Sequence, residues 1–100
     1  MSERDRPVTL RACRLWVSGR VQGVYFRAHT ASRAAELGIV GYARNLPDGR
    51  VEVLAGGSPA AIDAFLPWVR RGPPQAVVTD VTVQEEAVEA VAGYRDFARC

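Results

Sequence analysis

Apolar residues recur along this chain with two periods, two residues and about three and a half, and the switches between them lay out six elements. From Thr9 to Ser18 the period is two: Arg11, Cys13, Leu15 and Val17 share one face, and Ala12, Arg14, Trp16 and Ser18 the other. That pattern predicts a strand with one buried face. Tyr25 to Leu37 is rich in Ala, Arg, Glu and Leu, with Ala31, Ala34 and Leu37 at helical spacing and Gly38 placed as a left-handed stop. Ile39 to Leu46 and Val51 to Ala55 flank Pro47-Asp48-Gly49, which supplies the dihedrals of a tight reversal, so the two form a hairpin. Ser58-Pro59 reads as an N-cap followed by proline in the first helical position. The stripe Ile62, Phe65, Leu66 and Val69 makes this the clearest helix, ended by Gly72-Pro73-Pro74. Ala76 to Gln84 is β-branched and alternating, with Val77, Thr79, Val81 and Val83 on one side, and predicts a fourth strand.

The remainder is less regular. Glu85 to Gly93 has the composition of a short helix but too little length to form one alone, and Tyr94 to Arg99 adds a short edge strand. Residues 1–8 are polar, carry Pro7 and read as a frayed arm, leaving residues 9–100 as a single domain. The order strand, helix, strand, strand, helix, strand is the α+β, ferredoxin-like βαββαβ arrangement. Each strand has one apolar side, so both helices should cover one face of an antiparallel sheet. Catalysts, RNA binders and regulatory modules all use this fold, so it decides nothing about function.

Composition narrows the choice. With 100 residues, 48% hydrophobic and 24% charged, the chain has room for one core. A net charge of +2 is mild, where a nucleic-acid binder of this size concentrates far more basic charge on one face. No apolar run approaches a membrane span, and the start, Met-Ser-Glu-Arg-Asp-Arg-Pro, is charged rather than signal-like, so a cytoplasmic protein is expected. Two cysteines, Cys13 and Cys100, imply neither a disulfide framework nor a zinc site, and Cys13 reads as a small core residue. The single histidine, His29, removes most general-base and metal chemistry. Two residues past Arg27 in a helix, it points away from whatever Arg27 contacts.

The candidate chemistry sits where the first strand gives way to the first helix, at Gly19-Arg20-Val21-Gln22-Gly23-Val24-Tyr25-Phe26-Arg27. Glycines permit positive φ, which turns consecutive backbone N–H groups toward one point, and a helix start leaves further N–H donors without partners. Such a concavity suits phosphate, and Arg27 adds a planar, permanently charged fork. The plainer reading is a strand-to-helix turn whose glycines relieve sterics and whose arginines are solvated. Spacing alone leaves both open.

A second stretch changes that balance. Gly41-Tyr42-Ala43-Arg44-Asn45, Leu46-Pro47-Asp48 and Gly49-Arg50-Val51, taken with Val17 to Arg27 and the later Gly57, closely resemble both signatures of the acylphosphatases. The likeness extends over roughly residues 10 to 97, including the helix ending in Trp68, the Gly72-Pro73-Pro74 break and the segment from Tyr94 to Phe97. Tyr42 stands where tryptophan is frequent in that family, and Ala98-Arg99-Cys100 is a less typical tail. The resemblance implies hydrolysis of the carboxyl-phosphate anhydride of small acyl phosphates by a small cytosolic monomer, without metal or cofactor and with no nucleic-acid or membrane partner. It also implies that Arg27 and Asn45 are the catalytic pair, and that the loop of Gly19, Arg20, Val21, Gln22, Gly23, Val24 and Tyr25 holds the phosphate through backbone amides.

On chemistry alone, an asparagine offers a carbonyl acceptor and an NH₂ donor, enough to hold a water but not to deprotonate it. The plainer reading of Asn45 is a turn residue capping the hairpin. Arg20, Arg44 and Arg50 are read as solvated. Two rival functions share the fold. An RNA-recognition sheet would need stacking aromatics on central strands, for which only Trp16 and Tyr42 are available, and a basic-aromatic motif that is missing. A non-catalytic module binding acyl or carbamoyl phosphate would keep the cradle and lose the turnover.

Overall fold

The computed structural model describes residues 10–99; the predicted arm, Thr9 and Cys100 lie outside them. The elements run β1 (Arg11–Arg20), α1 (Phe26–Glu36), β2 (Val40–Asn45), β3 (Val51–Gly57), α2 (Pro59–Arg71), β4 (Val77–Glu86) and β5 (Phe97–Arg99), with a 3₁₀ turn at Val88–Val91. They form one five-stranded sheet in the order β4-β1-β3-β2-β5, the ferredoxin-like arrangement expected. One correction concerns β5. It pairs parallel to β2, with Gly41 opposite Phe97 and Ala43 opposite Arg99, so the sheet is mixed rather than antiparallel. β4 is antiparallel to β1, whereas β2 runs with β1, so a chain that reverses after β4 enters β5 in the direction of β2.

Both helices pack on one face. Cys13, Leu15 and Val17 of β1 and Val51, Val53 and Ala55 of β3 meet Phe26 and Ala34 of α1 and Ile62, Phe65 and Val69 of α2 in the core. Ser58 caps α2 by accepting from the Ala61 N–H at 3.1 Å, and Pro59 opens it, as the sequence indicates. In α1 the buried residues are Phe26, Thr30 and Ala34, four apart, so the stripe includes Thr30 rather than Ala31. Gly38 is left-handed at φ 71°, as its stop role requires. Burial pushes the Cys13 thiol up to about 11, which keeps it protonated and unreactive at neutral pH.

The start of β4 departs from the expected alternation, for a local reason. The pairing of β1 with β4 shifts between Ser18, opposite Asp80, and Gly19, opposite Val78, so Thr79 is an extra residue on β4. This bulge reverses the alternation, placing Val78 with Val81 and Val83 against the core and leaving Val77 56% exposed. Gly19 is what allows the close approach: its φ is 123°, and a Cβ there would lie 2.0 Å from the Val77 carbonyl oxygen. Gly19→Ala should therefore cost about 3 kcal/mol or more, read as a lower urea midpoint with unchanged slope.

The open face of the sheet is partly covered, which one-sided strands did not suggest. Glu85-Glu86 end β4, and the following 3₁₀ turn lays Val91 against Ala12 and Leu54 in a second small apolar cluster. Among the described residues, no helix is long and apolar enough to cross a membrane.

Candidate active site

β1, β2 and β5 run in one direction, so their C-terminal ends lie at the same edge of the sheet. The chain leaving β1 crosses this edge through residues 21–25 before starting α1. Gly23 has φ 74° and Tyr25 φ 60°, whereas Val24 between them does not have a positive φ. Alternating sign of φ tips neighbouring N–H groups toward a common point, the backbone nest that accepts anions. Tyr25 is the only described non-glycine residue with positive φ, a conformation costing of order 1 kcal/mol that persists only where surroundings impose it. Its ring is 75% exposed, so no burial of the side chain explains the strain. α1 begins immediately after it, with no side-chain cap and no acidic residue in its first turn. The first helical N–H groups and the positive end of the helix dipole are thus not met by a carboxylate of this helix.

The loop is strapped to the neighbouring hairpin by Gln22, whose Nε2 donates to the Leu46 carbonyl at 2.8 Å and the Arg50 carbonyl at 3.0 Å. The hairpin closes through Leu46 N–H to Arg50 O at 2.8 Å and Gly49 N–H to Leu46 O at 3.1 Å. Asp48 accepts from the Arg50 N–H at 3.1 Å and from its Nε at 2.8 Å; the backbone donor in particular holds the Asp48 carboxyl below its ordinary value. The turn is therefore built by Asp48 and Arg50, without Asn45 as its cap. Asn45 is the last residue of β2, opposite Val51, and is exposed.

These pieces surround one cleft of about 480 Å³. Of the predicted residues, Val21, Gly23, Tyr25, Arg27 and Asn45 line it together, although Arg27 and Asn45 are 18 positions apart in the chain. Gly19 and Arg20 do not; they are still in β1, where Gly19 serves the approach to β4. Gln22 and Val24 are also absent from the lining, Gln22 acting as the strap and Val24 being buried. Three lining residues were not singled out in the sequence: Phe26 and Ala28 from the first turn of α1, and Arg99 from β5. Among the described residues, none that lines the cleft carries a carboxylate, imidazole or thiol side chain. Among the described residues, no three His, Cys, Asp or Glu side chains are grouped so as to hold a metal ion. His29 is exposed, as expected.

A second polar cluster lies on the open face of the sheet. Glu52 of β3, 5% exposed, accepts from Arg14 at 2.7 Å and from Arg44, while Arg14 also donates to the Tyr42 hydroxyl at 2.9 Å. Arg44 and Arg50 are thus ion-paired, with Glu52 and Asp48 respectively, rather than simply solvated. Burial pushes the Glu52 carboxyl up, but the hydrogen bonds from Arg14 and Arg44 together outweigh it and leave its pKa below the ordinary 4.5. A depressed carboxylate contributes stability that is complete above the unfolded-state pKa and lost as pH falls through the folded-state value. Glu52→Gln should accordingly cost about 1–2 kcal/mol at pH 7, less than a fully buried pair because both arginines reach water. The gap between variant and parent should narrow toward pH 3, as paired urea titrations would reveal.

The same face bears on RNA binding. The Tyr42 ring lies 5.8 Å from that of Tyr94, and the Arg44 guanidinium carbon 5.6 Å from its centroid. One of the two aromatics that stacking would require is already engaged.

The family model described as Acylphosphatase matches residues 13–98. The chain belongs to the acylphosphatase family. It is 58% identical over 72 residues to the acylphosphatase of Methylococcus capsulatus, covering 72% of this chain and 78% of that one. To the acylphosphatase of Marinobacter nauticus it is 48% identical over 90 residues, covering 90% and 96%. The crystal structure of acylphosphatase from Bacillus subtilis superposes with a TM-score of 0.83 at 37% identity, covering 92% of this chain and 99% of that one. Acylphosphatase activity follows from these relationships, and the departures noted in the sequence, Tyr42 and the tail after Phe97, do not disturb the family assignment.

Proposed function

We propose that the cleft hydrolyses small acyl phosphates to a carboxylate and inorganic phosphate, with the division of labour among its residues as follows. Backbone N–H groups of residues 21–25 and the first turn of α1 take the phosphoryl oxygens, Arg27 neutralises their charge, and Asn45 holds the attacking water. The observation that carries this reading is the convergence of Arg27, Asn45 and the alternating-φ loop on one cleft.

The water oxygen forms a bond to phosphorus while the bond from phosphorus to the carboxyl oxygen breaks, its electron pair leaving on the carboxylate. That leaving group is stable as an anion, so no strong general acid is required, and positioning with charge stabilisation suffices. Donors fixed in the fold gain over bulk water because they need no reorientation as charge shifts. Asn45 can accept one hydrogen of the water and donate to another oxygen, which fixes the nucleophile without removing its proton. The proton passes to a phosphoryl oxygen or to solvent. No step calls for a metal, and the protein is read as a monomer acting in the cytoplasm on a small-molecule substrate. Benzoyl phosphate is a suitable test substrate. Turnover should be unchanged by EDTA, and decay no faster with the protein than in buffer would overturn the proposal.

A further inference from the structure

The two halves of the proposed chemistry come from strands that are not neighbours. β3 lies between β1 and β2, with Val51 opposite Val17 on one side and opposite Asn45 on the other. At the usual strand spacing, β1 and β2 are therefore about 10 Å apart at this level. The loop after β1 carries the amides that hold phosphate in the reading above, whereas Asn45, which holds the water, ends β2. In-line attack needs a fixed separation between them, and a misplacement of about 1 Å can cost about 10²-fold in rate.

Gln22 spans this gap. It leaves the loop between Val21, 1% exposed, and Gly23, and its Nε2 donates to the Leu46 and Arg50 carbonyls at 2.8 Å and 3.0 Å. Leu46 directly follows Asn45 and Arg50 directly precedes Val51, so the amide closes on the two residues that flank the reversal. Each carbonyl already accepts one backbone N–H, Arg50 from Leu46 and Leu46 from Gly49, so the turn does not need Gln22 to close. With carbonyls as both partners, only the nitrogen can face them, and both of its hydrogens are used, which fixes the direction of the amide. Gln22 is half-buried and is not part of the cleft lining.

We infer that Gln22 is a positioning residue for the hydrolysis: its side chain sets the separation between the phosphate loop and Asn45, and so acts on the rate through Asn45 rather than on phosphate binding. This rests on the assignment of the loop to the phosphoryl group and of Asn45 to the water. The concavity of the loop comes from the backbone at Gly23 and Tyr25 and from the buried anchors Val21, Val24 and Phe26. A change of the Gln22 side chain alters none of these. Methionine at this position keeps the length and removes both donors, whereas asparagine keeps the amide and is one methylene short of its partners.

The test measures kcat for benzoyl phosphate, and its inhibition by inorganic phosphate, in the parent protein, Gln22→Met, Gln22→Asn, Asn45→Ala and Gln22→Met combined with Asn45→Ala. Each is assayed below its own melting temperature. Gln22→Met and Gln22→Asn should each lower kcat by about 10-fold, with the phosphate inhibition constant within about 2-fold of the parent value. Added to Asn45→Ala, Gln22→Met should lower kcat by less than about 2-fold further, because residues that act as one unit are not additive. A purely structural role would lower the melting temperature and leave kcat of the folded protein unchanged, and that result overturns the inference. So does a loss repeated in full on the Asn45→Ala background, or a phosphate inhibition constant that rises in step with the fall in kcat. If Gln22→Met does not fold, Gln22→Asn carries the same comparison alone and combined with Asn45→Ala. The underlying reading fails separately: it falls if the parent protein has no turnover or if Asn45→Ala retains it.

Discussion

Arg27→Ala should reduce turnover of an acyl phosphate by about 10³-fold or more, the scale reported for arginines that stabilise a transferring phosphoryl group. The expectation follows from where the helix starts. Arg27 is the second residue of α1, directly after the strained Tyr25 and the helical Phe26, so its Cα is fixed by a buried anchor, Phe26, at 1% exposure. Its side chain lines the same cleft as the alternating-φ loop. A guanidinium held in this way compensates charge at no reorganisation cost when the bond to the leaving carboxylate stretches. Alanine leaves the amides in place, so some binding should persist while the rate falls. A stopped assay with benzoyl phosphate measures the loss, and a decrease of less than about 10-fold would remove Arg27 from the mechanism.

Asn45→Ala should lower turnover by at least about 10²-fold, the effect of removing one oriented polar group from a reacting centre. The structure makes this a cleaner experiment than the sequence implied. Asn45 is exposed and does not close the hairpin, which is built by Leu46, Asp48, Gly49 and Arg50. Folding should therefore be little changed. Inorganic phosphate should bind the Asn45 variant nearly as well as the parent, but bind the Arg27 variant markedly less well. Equal losses of phosphate binding in both would contradict the assignment of Arg27 to the phosphoryl group and Asn45 to the water.

The parts of the molecule that the sequence revealed are those governed by local rules. The Ser58-Pro59 cap, the apolar stripe of α2, the Pro47-Asp48-Gly49 reversal and the alternation of β1 each depend on neighbours within a few residues, and each occurs as read. The misreadings involve partners distant in sequence. Thr79 becomes a bulge because β4 must pass close to Gly19, which no pattern within residues 76–84 contains. The segment after Glu86 settles as a 3₁₀ turn because Val91 finds Ala12 and Leu54 on the open sheet face, a contact invisible in a weakly periodic stretch. Glu52 is not legible from the sequence because a single glutamate in a strand looks solvent-facing until Arg14 and Arg44 are placed on either side of it.

The site divides in the same way. Glycines and a helix start marked the loop, and the second signature brought in Asn45. Gln22 was read only as part of a backbone cradle, but its side chain is what couples the loop to the hairpin carrying Asn45. Arg99 was hidden for another reason: its membership of the cleft depends on the parallel pairing of β5 with β2, and the expected sheet was antiparallel.

Whether an alternating-φ loop and the start of α1 grip an oxoanion is most directly measured by titrating inorganic phosphate into ¹⁵N-labelled protein in chelator-treated buffer. Saturable shifts of the backbone amides of residues 21–28, with little movement around Glu52 or Val91, are predicted. Amides in that segment that remain in place at phosphate concentrations well above millimolar, or shifts centred elsewhere on the sheet, would contradict it.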